Sequence, residues 1–405
     1  MNIVGFGLPY AYSDPTIAGG AEGLNLKAWF ANEMFFEGTF RGLFTMLFGS
    51  GFILLTTRME SKGLGLMVAD VYYRRTLWLI LFGVIHCYVL LWHGEVLYVY
   101  GLFGLMLFPF RNAKPWNLVG AGIALLAIGT LMNVLSYSEI KETRDNGVEA
   151  QQLKAAGDSL TTEQKEYITS WEEAVQKQKP EKIQKVIDNM HKGYLGVFKA
   201  KLPLNQFMQT TLVYELWIWD VLSFMLIGMA LFKWGVFQNL RTRRFYLIMM
   251  VVGYAIGLSI NYYESIIQIR SGFNPVVMKQ AEMTYQIGRP LTTLGHVGLF
   301  MLFINSGILG WLQRSLSAVG KMALTNYLTH SIICGVVFLG FGFGLYGQLQ
   351  RYELYYVVGS IWVFQLIASP IWMHHFHYGP AEWVWRSLAY KKRPPFKKTA
   401  IERDL

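Results

Sequence analysis

Arg41, His86 and Glu95 are the residues from which chemistry could be built in this chain. Each lies in or beside an apolar run, where an ionisable group is costly and is by default a functional candidate. An imidazole next to a carboxylate can be tuned to take up a proton near neutral pH. In this reading His86 is a general base for an acceptor hydroxyl or amine. Glu95 orients or balances it, and Arg41 holds an anionic donor or stabilises a developing oxyanion. His93, Asp220, Arg289 and His296 fall at comparable depth along their own runs and extend the set toward substrate binding, with Glu215 beside Asp220. Residues of these types also cap helices or snorkel to an interface, and spacing alone does not choose between the two roles.

A second polar set, in which Asn326, Glu382 and Arg386 are further substrate-binding candidates, lies toward the other ends of the runs. Asn326 and His330 are four residues apart, hence on one helical face. Glu382 and Arg386 have the same spacing, which predicts an ion pair on a short helix opened by Pro380. Trp383 and Trp385 give that helix the character of a membrane-surface anchor. His374, His375 and His377 are close enough to invite a metal, but basic residues crowd them and no second ligand cluster supports them, so no metal is expected. Cys87 and Cys334 sit in apolar runs and read as small buried residues.

The elements that position these residues must be membrane helices. Hydrophobic residues are 53% of the 405 and charged residues only 15%, against about 25% charged in a soluble domain. This excludes a soluble globular enzyme, a disordered chain and a disulfide-built secreted domain. The fold class expected is all-α, a polytopic transmembrane bundle. Apolar stretches long enough to cross a bilayer predict about nine spans, near 34–57, 76–92, 96–110, 116–137, 209–233, 245–263, 289–308, 322–345 and 353–374. The third is short for a crossing. Basic residues gather at every second connection, among them Arg74, Arg75, Arg111, Lys114, Arg243, Arg244, Arg314 and Lys321, and again in the tail from Arg386 to Arg403. Those connections are expected on the cytoplasmic side. The net charge of +10 is thereby read as topology, not as a nucleic-acid surface.

The organisation expected is transmembrane helices over 34–137 and 209–374, with 375–405 an amphipathic segment and basic cytoplasmic tail. Residues 138–208 hold 11 Lys plus Arg and 11 Asp plus Glu, and read as an extracytoplasmic helical insert. Thr161 and Gln164 look like a capping box that starts a helix there. Residues 1–33 read as the last turns of a helix followed by an extracytoplasmic loop, because the opening has neither the basic region nor the apolar core of a signal peptide. On this reading the chain starts late and lacks most of a first helix.

Several motifs in order then resemble a known family. They are Phe40-Arg41-Gly42-Leu43-Phe44 continuing to Gly49-Ser50-Gly51, Tyr73-Arg74-Arg75, Trp92-His93-Gly94-Glu95, Ala323-Leu324-Thr325-Asn326-Tyr327, and Gly379-Pro380-Ala381-Glu382-Trp383 with Arg386. Together they are similar to the bacterial membrane family called domain of unknown function 418, the YeiB-like proteins, over nearly the whole chain apart from 138–208. The resemblance implies a multi-pass protein of the bacterial inner membrane. More distantly it implies a likeness to transmembrane acyltransferases, which pass an acyl group from a donor such as acyl-CoA to an acceptor in or across the membrane. The family's opening Asp-x-x-Arg-Gly motif has no counterpart here, and its outer Gly-Asp turn reads Gly94-Glu95.

The function expected is acyl transfer to a membrane or envelope acceptor, with acyl-CoA as donor substrate, no bound cofactor, and the lipid bilayer as partner. Two other readings stand beside it. A transporter or flippase would use the same charges at depth and Gly-interrupted helices. A non-enzymatic scaffold would act through the 138–208 insert. The sequence fixes neither substrate nor oligomeric state.

Overall fold

The computed structural model describes residues 2–12, 14–175 and 179–399, and the end of the basic tail, including Arg403, lies outside them. Among the described residues the chain is helical, with no strand and one isolated bridge between Phe376 and Lys397. Seventeen α-helices follow in order: α1 (Ile3–Gly7), α2 (Gly23–Phe35), α3 (Thr39–Glu60), α4 (Met67–Tyr88), α5 (Leu97–Gly104), α6 (Pro115–Ala156), α7 (Thr162–Val175), α8 (Pro180–Met190), α9 (Tyr194–Phe207), α10 (Ile218–Lys233), α11 (Arg243–Arg270), α12 (Pro275–Glu282), α13 (Tyr285–Ser306), α14 (Gly310–Lys321), α15 (Ala323–Phe338), α16 (Leu354–His375) and α17 (Pro380–Tyr390).

Among the described residues, six helical stretches are long and apolar enough to cross a membrane: Gly23–Glu60, Pro115–Ala156, Tyr194–Lys233, Arg243–Arg270, Tyr285–Ser306 and Leu354–His375. They coincide with six of the nine expected spans. The other three differ for visible reasons. The expected span at 76–92 is the second half of α4, whose first half carries Asp70, Arg74 and Arg75. The one at 96–110 is the eight-residue α5 followed by a tight turn over Phe108–Asn112, and eight residues rise only about 12 Å. The one at 322–345 is α15, which stops at Phe338 before the glycine-rich turn.

Small residues set the packing, as they do where lipid supplies no hydrophobic drive between helices. α10 is buried along its length from Asp220 to Leu231 and forms the centre of the bundle. α3 approaches it so closely that a Cβ on Gly49 would meet the Met225 carbonyl, and one on Gly228 would meet that of Met46. Ser50 Oγ donates to the Gly228 carbonyl at 2.9 Å across the same contact. α11 and α13 pair through Gly253, Gly257, Gly288 and Gly295 in the same way.

The 138–208 region is helical and continuous with the bundle at both ends. α6 runs on as one helix from Pro115 to Ala156, and Gly157, with a left-handed φ of 90°, ends it. Trp171 of α7 packs on Gly147, and Thr161 and Gln164 exchange the expected capping bonds at 3.2 and 2.9 Å. α9 then belongs to the bundle: Lys201 Nζ donates to the Leu91 carbonyl at 3.0 Å and Asn205 Nδ2 to that of Cys87 at 3.1 Å. The chain continues through a wide helical turn over Met208–Trp217 into α10. Residues 1–33 likewise contain a buried α1 and the helix α2, which with α3 makes one of the six long stretches.

Candidate functional site

Glu95 is placed by the end of one helix and the start of the next. It lies in the turn between α4 and α5, and its carboxylate accepts from the backbone N–H of Leu97 at 2.7 Å and of Tyr98 at 2.6 Å. It thus caps α5 from the side where the helix dipole favours negative charge. With two N–H donors holding it as an acceptor, it receives the Nδ1–H of His86 at 3.2 Å. That fixes the imidazole: Nδ1 carries the proton and Nε2 is left as the acceptor. Nε2 faces the hydroxyl of Ser331 on α15 at 2.7 Å. His86 is fully buried, and Ser331 and Glu95 are 2% and 3% exposed, so water does not compete for these bonds. Tyr327, one turn before Ser331, lies edge-on to the His86 ring at 4.7 Å and accepts from the Val96 N–H. The order hydroxyl, imidazole, carboxylate is that of a serine–histidine–acid triad.

Arg41 is not part of this group. Its guanidinium binds Asp220 at 2.7 Å and the Tyr285 hydroxyl at 3.1 Å. Tyr285 reaches Glu37 at 3.3 Å, and Arg289 pairs with Glu264 at 3.1 Å and Glu33 at 3.4 Å. Arg41 thus stands with Asp220 and Tyr285 in a network of two arginines and four carboxylates. Tyr100 stands between the two groups. Its hydroxyl bonds Thr45 at 2.7 Å and the Arg41 carbonyl at 3.4 Å, and it lies within electrostatic reach of Glu95. His296 joins neither. It is held by Tyr254 and the Phe35 carbonyl, each at 2.8 Å.

His93 packs on Trp92, with ring centroids 4.8 Å apart, and its Nδ1 has no partner. It lies in the turn after α4. Burial, with the Lys201 ammonium adding to it, pushes its imidazole down to about 3, so it stays neutral at physiological pH.

The second polar set forms a clasp. Glu382 does not pair with Arg386. Its carboxylate accepts from Leu324 N at 2.6 Å, Thr325 N at 3.1 Å and the Thr325 hydroxyl at 2.5 Å, because the open N-terminus of α15 offers it several converging donors. Thr325 Oγ1 in turn accepts from Ala381 N at 3.1 Å. Each helix start caps the other. Arg386 lies instead over the Tyr378 ring at 4.7 Å. Asn326 bonds Ser369 and the Val319 carbonyl, while His330 faces Cys334, so the two share a face without sharing a partner. Trp385 donates to the Arg75 carbonyl at 2.9 Å and Trp383 to that of Pro394 at 2.9 Å; these indoles lock α17 to its neighbours. No group of metal-ligating residues stands among the described residues.

With this geometry in view, comparison with known proteins gives one family. Residues 231–392 match DUF418, a protein family of unknown function. The match covers α15, α17 and their clasp, and so includes two of the five motifs on which the resemblance rests, those at Ala323–Tyr327 and Gly379–Arg386. The chain is also 28% identical over 361 residues to the uncharacterised YxaH of Bacillus subtilis, covering 89% of this chain and 81% of that protein. It is 28% identical over 399 residues to the uncharacterised YeiB of Escherichia coli, covering 98% and 93%. An uncharacterised 39.9 kDa protein of Bacillus acidopullulyticus is 23% identical over 376 residues. No solved structure gives a significant match.

The structure thus unites His86 with Glu95, and separately Arg41 with Asp220. Arg289 enters the second network through its own carboxylates, Glu33 and Glu264. Sequence reasoning missed Ser331, Glu33, Glu37, Glu264 and Lys201. Glu33 and Glu37 carried a signal in their four-residue spacing ahead of Arg41. Ser331 carried only its place four residues after Tyr327.

Proposed function

We propose that the protein is a multi-pass inner-membrane acyltransferase in which His86 is the general base and Glu95 its orienting partner. The observation that carries this reading is the hydroxyl already bound to His86 Nε2 at 2.7 Å. It marks the position from which the imidazole takes a proton when a hydroxyl or amine attacks an acyl donor. The donor class is an acyl thioester such as acyl-CoA, and the acceptor a hydroxyl or amine of a membrane or envelope molecule. The Arg41–Asp220 and Arg289–Glu264–Glu33 network stiffens α3, α10, α11 and α13 beside the site. Its carboxylates, Asp220 among them, and Arg289 are the side chains on which an acceptor would bear.

The same proposal includes an arrangement in the membrane. α4, α5 with its following turn, and α15 make shorter crossings beside the six long helices, giving nine. Basic connections and the C-terminus lie in the cytoplasm, and α7 and α8 lie outside. The test is turnover of radiolabelled acyl-CoA by purified protein in lipid nanodiscs, with lipid extracts as acceptor. Transfer that falls by ~10²–10⁴-fold in His86→Gln supports the base role; equal turnover removes it. Substrate accumulation in proteoliposomes with no covalent product would favour a transporter instead.

A further inference from the structure

Serines and threonines within these helices follow a habit. Ser50, Thr76, Ser265 and Ser360 each donate to the carbonyl four residues earlier, at 2.8 to 2.9 Å. That bond is the default for a hydroxyl in an apolar helix. Ser331 departs from it. Its distance to the Tyr327 carbonyl is 3.5 Å, while His86 Nε2 is at 2.7 Å. The hydroxyl proton is directed at a base whose other nitrogen is committed to Glu95. Activated serine nucleophiles share this geometry: a hydroxyl in hydrogen-bond reach of a base that a third group orients. A hydroxyl needed only as a bridge between helices would not require a carboxylate fixed by two backbone N–H groups behind the imidazole.

We propose that Ser331 is a covalent nucleophile, so that acyl transfer runs by double displacement through an acyl-serine. This rests on the acyl-transfer reading above and deepens it. In the first half, Ser331 Oγ attacks the carbonyl carbon of an acyl thioester. The hydroxyl proton passes to His86 Nε2, the C–S bond breaks, and the departing thiolate takes that proton from His86. In the second half, the acceptor oxygen or nitrogen attacks the acyl-serine, gives its proton to His86, and the serine oxygen recovers it as the C–O bond breaks. No electrons are lost or gained, and Glu95 stays a carboxylate throughout. Burial favours this route: an acyl-serine shielded from water is protected from hydrolysis while the acceptor arrives. Glu95 acts through His86 and is a positioning residue.

The experiment uses the full-length protein in nanodiscs and two probes, a long-chain alkyl fluorophosphonate and octanoyl-CoA, read by intact mass and peptide mapping. One adduct on Ser331 is expected with each probe in the wild-type protein. None is expected in Ser331→Ala, whose folding is checked by its thermal midpoint. Ser331→Cys should keep the octanoyl adduct as a thioester. Glu95→Gln should slow labelling and shift its pH profile, which a purely structural carboxylate would not do. A wild-type protein unlabelled at Ser331 by both probes overturns the proposal. So does Ser331→Ala transferring acyl groups as fast as wild type; if His86→Gln is then inactive, direct transfer holds and the acyltransferase reading survives. A Ser331 adduct with no transfer to any acceptor removes the acyltransferase reading and leaves the nucleophile.

Discussion

His86 works only in one tautomer, and the Glu95 carboxylate chooses it. Glu95→Gln keeps the shape and loses the charge, so its amide can present N–H where the imidazole needs an acceptor. A fall of up to about 10⁴-fold in kcat is expected, by analogy with the loss when a triad carboxylate becomes an amide, measured with labelled acyl-CoA in nanodiscs. His93 gives a pH prediction of different origin. In the folded chain its imidazole is held down to about 3 by burial, then by Lys201, while unfolded it takes a proton near 6.5. The unfolded state therefore binds more protons between these values. Its contribution to stability is full above about 6.5 and is lost as the pH falls toward 3. His93→Gln should flatten the slope of thermal midpoint against pH across that window; an unchanged slope would show that His93 is not buried neutral. Arg41 and Asp220 are side chains of 16% and 7% exposure. Removing either partner alone leaves an unpaired buried charge, and a loss of about 3–5 kcal/mol is expected. The double variant Arg41→Met with Asp220→Leu should recover much of it in the same melting experiment.

At the scale of elements, packing is decided by what is absent from a side chain. Gly49 and Gly228 let α3 and α10 touch backbone to backbone. Gly49→Val has no flexible atom to push aside, since the obstacle is the Met225 carbonyl. A loss of about 1–3 kcal/mol or failure to insert stably is expected, read by yield and thermal midpoint. These contacts were legible in the sequence as a type, small residues in apolar runs, but not as pairs, because nothing local says which glycine faces which. The same limit hid Ser331 from His86, which are 245 residues apart. His86 and Glu95 were legible because nine residues and a tight turn bring them together. The Glu382–Arg386 pair was misjudged for the converse reason. Local spacing was right for an ion pair, but the free N–H groups of α15, distant in sequence, outcompeted it. Charge marks 138–208 as polar, yet Lys201 and Asn205 turn inward to carbonyls that no composition reveals.

For the whole molecule, the proposed orientation and the course of the 138–208 region give a joint test. A fluorescent protein fused after residue 399 is expected to fluoresce in the cytoplasm. A cysteine placed at Lys165, in Cys87→Ala and Cys334→Ala background, should react with an impermeant maleimide from outside. Removing α7 alone should leave a folded, active bundle. Removing residues 138–208 entire should not, because it takes Lys201 and Asn205 away from the turn that holds His93 and Glu95. Size-exclusion profile and acyl transfer report both.

α6 has one further consequence. Its 42 residues make a rod of about 63 Å, roughly twice the hydrocarbon thickness. In the proposed arrangement, with one end in the membrane, its tip would stand about 30 Å clear of the lipid, and the chain returns through α7 and α8 to α9, whose side chains brace the turn beside His86. On that proposal the protein carries a mast whose return limb, α9, ends beside the turn that holds His93 and Glu95. A pull on the tip would be delivered along a continuous helix and its return limb to the carbonyls of Cys87 and Leu91, one and five residues from the imidazole. A dye at Asp158 and a membrane-plane acceptor would measure the height of that mast.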